Sequence, residues 1–341
     1  MGKAGKIISV DPPYAIPGGE IAVECEGFDA GESVRGCYVG GEGCRIVAAS
    51  SSRILAIVPE EIDSEHTEIH LESGGERSEP FPMIVGKKLT GDMHMVANPA
   101  VDPKDDALCL TRSGSRGQHL AATLFRLEAD GYLDEMPEPI LNPTGIAFDR
   151  DGRMYVTNRA AGEVYLIGPD GNSSVYATGL GIATGIAFDA DNLMYVGDRS
   201  GTIYRVRDFA EVEIFAVMEP SVAAYHIAFG PDGKLYVTSP GLASHDAVHV
   251  VDNEGYDERY FRGLGRPQGL AFDAAGNLYV AGCFRGRHGI AKILPGGTDA
   301  THFVAGNNVV GLCFTRKGEM IVATGDSVYS LPVGLLGTLL T

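Results

Sequence analysis

The sequence predicts an all-β protein built from a small N-terminal β-sandwich and a six-bladed β-propeller. Three observations carry that prediction. A twelve-residue word recurs along the chain at a period near forty residues. Glycine is abundant, 46 of 341 residues, beside short runs rich in Val, Ile, Tyr and Phe. The stretch before about Gly86 ignores the period but keeps the same texture of short strands and turns.

The repeated word reads Gly-Ile/Leu-Ala-Phe-Asp, a Gly-containing turn, then Leu/Met-Tyr-Val. Its copies are "GIAFDRDGRMYV" (Gly145 to Val156), "GIAFDADNLMYV" (Gly185 to Val196), "HIAFGPDGKLYV" (His226 to Val237), "GLAFDAAGNLYV" (Gly269 to Val280) and "GLCFTRKGEMIV" (Gly311 to Val322). The aligned aromatics are Phe148, Phe188, Phe229, Phe272 and Phe314, spaced by 40, 41, 43 and 42 residues. A degenerate copy, "NPAVDPKDDALCLT", precedes them with Val101 in the Phe position. Each period divides into four alternating runs separated by Asp-Gly or Gly-Asn turns, which is one four-stranded propeller blade. Six copies predict six blades over residues 91–341. The final copy leaves only "SVYSLPVGLLGTLLT" after its second strand, so ring closure stays open. The first blade carries an apparent insertion, Ser113 to Glu138.

Residues 1–86 read as the sandwich, through runs such as "EIAVECEGF", "CRIVAAS", "RILAIVP" and "TEIHLES". "GKKLTGD" reads as the linker into the ring.

The net charge is −18, from 27 Lys and Arg against 45 Asp and Glu. Nucleic acid and anionic membrane both need a basic surface, so neither is expected as a partner. No apolar run approaches a membrane span and the N-terminus lacks a signal-peptide core, which predicts a cytoplasmic protein. The six cysteines form no CxxC pair and read as free thiols, with a Cys25 bridge to Cys37 or Cys44 as the alternative for an exported chain.

A propeller assigns positions to roles. The Ile, Ala, Phe, Tyr and Val of the word pack between blades, and the Asp of the turn caps it. The residue before each first strand and the loop after each second strand emerge together at one mouth of the central channel. Candidate ligand contacts are therefore Thr144, Thr184 and Gln268 before first strands, and Arg112, Arg116, Asn158, Arg159, Asp198, Arg199, His245 and Arg285 in the loops. Arginine recurs in four of these loops, and its fork of donors suits carboxylates and phosphates. Two readings stay open. The arginines line a pocket for a small anionic ligand, or each pairs with an acid such as Asp198 or Asp326 and staples adjacent blades. Tyr225 and His226 stand at the start of the fourth blade, and His226 replaces the Gly of the other copies. They are the candidate proton-transfer residues. His94 and His226 are the candidate ligands of a divalent metal, zinc or calcium. Cys283, near His288, is a candidate nucleophile whose bland alternative is an inert thiol.

"ISVDPPYAIPGGEIAVECEGF" and "CRIVAASSSRILAIVPE" resemble IPT/TIG immunoglobulin-like domains over Lys6 to Val85. That resemblance implies an immunoglobulin-like sandwich, a surface on which a protein partner could dock. The repeat words resemble NHL-repeat proteins and the gluconolactonase family over Gly91 to Leu340. The resemblance implies a six-bladed ring; its relatives include calcium-dependent lactonases and zinc lyases. The lactonase metal is held by Asn, Asp and Glu at the mouth, including the residue inside "P-x-G". Here that residue is Thr144 in "PTG" and Gln268 in "PQG", so the carboxylate site does not transfer. The functional expectation is a hydrolase or lyase acting on an anionic or carbohydrate-like substrate, of lactone or sugar-acid type. The alternative is a non-catalytic scaffold that binds a ligand or a protein.

Overall fold

Six four-stranded antiparallel units form the ring, and the repeat word supplies the two innermost strands of the regular ones. In the second blade these strands are Pro143–Phe148, Met154–Asn158, Glu163–Ile167 and Ser173–Ala177, paired in that order. The third blade repeats the plan with Ala183–Phe188, Met194–Asp198, Thr202–Val206 and Val212–Val217. This computed structural model describes residues 5–31, 35–62, 67–114, 118–207, 211–242 and 246–338. Among them no helix is long and apolar enough to cross a membrane.

Aromatic pairs fasten successive blades. The Tyr of one blade meets the Phe of the next at four junctions: Tyr155–Phe188 at 5.1 Å, Tyr195–Phe229 at 5.0 Å, Tyr236–Phe272 at 4.7 Å and Tyr279–Phe314 at 5.2 Å between ring centroids. Tilted and edge-on geometries suit the ring quadrupoles, at about 0.5–1.5 kcal/mol per pair beyond area burial. The two junctions of the degenerate first blade lack the Tyr–Phe pair, with Val101 and Ile321 in one cluster and Cys109 and Phe148 in another. The turn Asp is a cap, as its spacing predicts. Asp149 Oδ1 accepts from Asp151 N and Arg153 N, and Asp149 Oδ2 accepts from Tyr155 Oη at 3.2 Å. Asp273 repeats this with Ala275, Asn277 and Tyr279.

Two sequence expectations change here. "KKLT" is not a linker. Lys87–Thr90 pairs with Val328–Leu331 and forms the outer strand of the sixth blade, so a segment from before the ring completes its last sheet. That resolves the closure left open by the short final copy. The apparent insertion Ser113 to Glu138 contains Leu124–Leu127 and Leu133–Glu135, the third and fourth strands of the first blade. Only the connection before Leu124 is long.

The N-terminal part forms two sheets over one core. Lys6–Asp11, Glu20–Glu26, Arg53–Ile57 and Arg45–Ala49 make the first. Arg35–Val39, Thr67–Ser73, Phe81–Val85 and Tyr14–Ala15 build the second. Val23 and Ile54 from one sheet and Val39, Ile69, Leu71 and Val85 from the other are fully buried in the shared cluster. All six cysteines are free.

The sandwich is joined to the ring by backbone. Tyr14–Ala15 lies parallel to Ala300–Ala305, pairing Tyr14 with Val304 and Ala15 with Ala305, so the second sheet continues into the fifth blade. Ile16 then enters the ring's own core beside Tyr279, Val304 and Leu312. Arg287 donates Nη1 to Asp11 O at 2.7 Å and pairs with the Asp11 carboxylate across the same junction.

Candidate ligand-binding face

The first-strand starts prove to be fasteners. Thr144 and Thr184 are buried, and their hydroxyls reach the next blade: Thr144 Oγ1 donates to Ala183 O at 3.2 Å and Thr184 Oγ1 to Tyr225 O at 3.3 Å. The Thr that ends several second strands does the same. Thr157 Oγ1 donates to Thr184 O at 3.1 Å, and Thr238 Oγ1 bonds Gln268 O. Thr144 and Thr184 are thus spent on blade-to-blade bonds and offer no hydroxyl to the channel. The neighbouring glycines have the same cause. A Cβ on Gly145 would stand 2.7 Å from Thr184 O, and one on Gly185 2.6 Å from Tyr225 O.

Tyr225 and His226 do not reach the mouth. Tyr225 is 0 % exposed and donates its hydroxyl to Glu219 O, and burial pushes its pKa up to about 12. His226 is buried, burial lowers its pKa to about 4, and its Nε2 has no hydrogen-bond partner. The proton-transfer roles expected of this pair lack access to any ligand. At this position the other copies of the word carry Gly, and the imidazole is buried in its place.

The metal expectation fails on geometry as well. His94 is exposed with φ of 46°, while His226 is sealed. Among the described residues no group of three or more His, Cys, Asp or Glu is placed to hold a metal ion. The described residues therefore assemble no zinc or calcium centre around His94 and His226. Arg116 and His245 lie outside the described residues. Cys283 and His288 sit opposite each other on adjacent strands.

Asn158 and Asp198 cap the loops that carry the arginines. Asn158 Oδ1 accepts from Ala160 N at 2.9 Å and Ala161 N at 3.2 Å. Asp198 Oδ1 accepts from Ile182 N at 2.7 Å and Ser200 N at 3.0 Å. Both are buried and shape the loop through these bonds.

The arginines divide into two kinds. Arg112 donates Nε to Asp92 O at 2.7 Å and lies 4.8 Å over the Phe125 ring, and Arg285 lies 4.9 Å over Phe284. Both are stacked on aromatic faces, a favourable use of a guanidinium. Arg159 and Arg199 are different. Arg199 donates Nε to Ser221 O at 3.3 Å and Nη2 to Val222 O at 2.8 Å, while Arg159 makes one long bond, Nη2 to Gly114 O at 3.4 Å. Among the described residues none of these four is in an ion pair with an acid: Asp198 serves backbone amides, and Asp326 accepts from Ser327 Oγ. Burial, with the nearby charge of Arg199, holds the Arg159 pKa below the usual guanidinium value. Among the described residues Arg159 and Arg199 are thus held by backbone carbonyls and not by acids, on a chain of net charge −18.

Gln268 is half-buried at this face, with its backbone N–H on Ala281 O at 2.8 Å. Sequence reasoning missed the third-to-fourth-blade connection. Ser221 N bonds Arg199 O, and Ser221 Oγ and Val222 N both bond Pro240 O, which makes this connection the seat of the Arg199 loop. No repeat word covers it, and only the three-dimensional path brings it beside Arg199.

A cavity of about 180 Å³ lies on the ring axis, but at the other end. Its walls include Ala147, Phe148, Phe188, Phe229, Phe272 and Phe314, and Gly337 and Thr338 also line it, with Thr338 N on Phe272 O at 3.0 Å. Those phenylalanines end the inner strands, whereas the arginines follow the second strands, so the apolar cavity and the cationic face are separate.

No protein-family model matches the chain, and no curated protein matches it. Solved structures do. An auxiliary nutrient binding protein from Bacteroides thetaiotaomicron is 15% identical with a TM-score of 0.55, over 96% of this chain and 97% of that one. A gluconolactonase-like protein is 16% identical with a TM-score of 0.61, over 74% of this chain and 93% of that one. Virginiamycin B lyase from Staphylococcus aureus is 14% identical with a TM-score of 0.52, over 87% of this chain and 99% of that one. At such identities the likeness is one of fold: this chain is a β-propeller protein, and the first match spans the N-terminal sheets as well.

Proposed function

We propose that this protein binds a small organic anion at the face carrying Arg159 and Arg199. One observation supports the reading: among the described residues the loop guanidiniums of Arg159 and Arg199 have no acidic partner, Arg159 making a single long bond to Gly114 O at 3.4 Å and Arg199 bonding only backbone carbonyls. A carboxylate or phosphate at this face would supply the missing charge and accept charge-assisted bonds. The anionic ligand of sugar-acid type expected from sequence fits this role as a bound ligand. Binding without chemistry is favoured because Tyr225 and His226, the candidate proton-transfer groups, are sealed in the blade junction.

A hydrolase or lyase acting on a lactone or sugar-acid substrate is the second reading. Its support is the fold shared with the gluconolactonase-like protein and virginiamycin B lyase. For the N-terminal part we favour an IPT/TIG-type, immunoglobulin-like sandwich. Its two sheets over one core support that, and its outer surface is the place for a protein partner.

The test is calorimetric titration with gluconate, acetate, phosphate and sulfate, repeated on Arg159→Met, with a lactone-hydrolysis assay in parallel. Saturable binding that weakens at least about tenfold in the variant is expected, since a hydrogen bond to a charged group contributes roughly 1.5–3 kcal/mol. No binding by any anion overturns the proposal. Hydrolysis that survives Tyr225→Phe and disappears in Arg159→Met would favour the second reading.

A further inference from the structure

The axial cavity lies at the end of the ring away from the arginines, and the repeat word keeps it open. The third position of the word is Ala147, Ala187, Ala228 and Ala271 in four copies, Ala100 in the degenerate first and Cys313 in the last. All six of these small side chains line the cavity, and about 180 Å³ is left where the blades converge. That is room for one aromatic ring, since an apolar cavity of about 150 Å³ takes up benzene. On a chain of net charge −18 the wall holds no charged side chain. Its polar side chains are Asn98, Thr338 and the Cys313 thiol. Asn98 donates Nδ2 to Leu270 O at 2.9 Å and accepts from Leu312 N at 3.1 Å, and Thr338 Oγ1 donates to Phe272 O at 3.4 Å. Both are spent on backbone groups. Those groups show what else the wall offers. Each inner strand is hydrogen-bonded along one edge only, to the second strand of its own blade, so its other edge turns backbone N–H and C=O groups toward the axis.

We infer that the axial cavity is a second ligand site, for a small neutral aromatic molecule with one hydroxyl, a simple phenol. The five phenylalanines that end the inner strands line the cavity and offer ring faces and edges to an aromatic body. A charged ligand is excluded because the wall has no side chain to pair it, and an unpaired charge is costly to bury. The strand edges supply partners for the hydroxyl, and the volume limits the body to about one ring. This site is independent of the anion-binding face.

Calorimetric titration of the full chain with p-cresol, toluene and myo-inositol tests this. p-Cresol should bind saturably, toluene about threefold or more weakly for want of the hydroxyl, and myo-inositol not measurably. Neither gluconate nor 4-hydroxybenzoate should displace p-cresol, since each carries a charge the wall cannot pair. Ala228→Leu and Ala271→Leu carry a larger side chain into the cavity and should weaken p-cresol at least about tenfold. Their urea midpoints should hold, because the added atoms fill a void. Ala228→Val, a smaller change, should weaken p-cresol about threefold and serves if a leucine variant does not fold. The inference is overturned if p-cresol does not saturate, or if its binding is unchanged in the folded variants. Displacement by gluconate or 4-hydroxybenzoate, or myo-inositol binding as tightly as p-cresol, overturns it equally. Toluene matching p-cresol overturns the hydroxyl requirement. The anion-binding reading stands or falls on the gluconate titration alone.

Discussion

Arg159→Met and Arg199→Met should separate stability from binding, because the structure gives the two side chains different work. Arg199 holds two backbone carbonyls of the third-to-fourth-blade connection, at 2.8 and 3.3 Å. It is exposed, so each bond contributes at the low end of the usual range, and its loss should cost about 1 kcal/mol. Arg159 makes a single bond of 3.4 Å and sits beside a like charge. Removing it gives up only that one long bond, so the variant should match the parent within about 0.5 kcal/mol. Methionine keeps much of the aliphatic stem, which limits packing losses. Urea denaturation followed by tyrosine fluorescence gives the comparison through the midpoint at constant slope. The reasoning is refuted if Arg159→Met loses more than about 2 kcal/mol, for then Arg159 is a structural staple. It is refuted equally if Arg199→Met is neutral, because the two carbonyl bonds would then carry no energy.

Ile16→Ala should cost about 2–5 kcal/mol, because Ile16 is 1% exposed inside the ring's core and its loss leaves a cavity at the sandwich junction; calorimetry should show one broadened transition at lower temperature. Deleting residues 1–90 should leave no soluble ring, since it removes the outer strand of the sixth blade and uncovers the edge of Ala300–Ala305, whereas deleting 1–86 keeps the Lys87–Thr90 strand and should be less severe; recovery from size-exclusion chromatography compares them. His226 should make stability pH-dependent. Its folded pKa of about 4 lies below the 6.5 of a solvated imidazole, so the unfolded chain binds the proton more readily. The contribution is intact above pH 6.5 and is lost as pH falls toward 4, by about 3 kcal/mol at most. His302 shifts in the same direction, so His226→Leu should flatten the urea midpoint between pH 6.5 and 4.5 without abolishing its slope.

The blade plan was legible in the repeat word because each of its positions answers a local demand. The Asp caps its turn through backbone amides two and four residues on. The Phe and Tyr meet across blade junctions at a spacing set by the period. The loop arginines were legible as a recurrence, but their meaning was not. Arg112 and Arg285 proved to be stacked on Phe125 and Phe284, and Thr144, Thr184, Asn158 and Asp198 proved to serve backbone groups. His226 drew notice as a departure from Gly, yet its burial is set by the blade junction around it, which no local pattern shows.

The sequence by itself determined the all-β class, the repeat, the turn chemistry and the excess of acid, since these follow from periodicity and composition. Tertiary structure decided the rest. It placed Lys87–Thr90 in the last blade, carried the sandwich sheet into the fifth, and seated Arg199 on the Ser221 and Val222 carbonyls. Each of these is a contact between segments that no local pattern links. Closing the ring brings such segments together, and their charge and burial are properties of the neighbours they meet there.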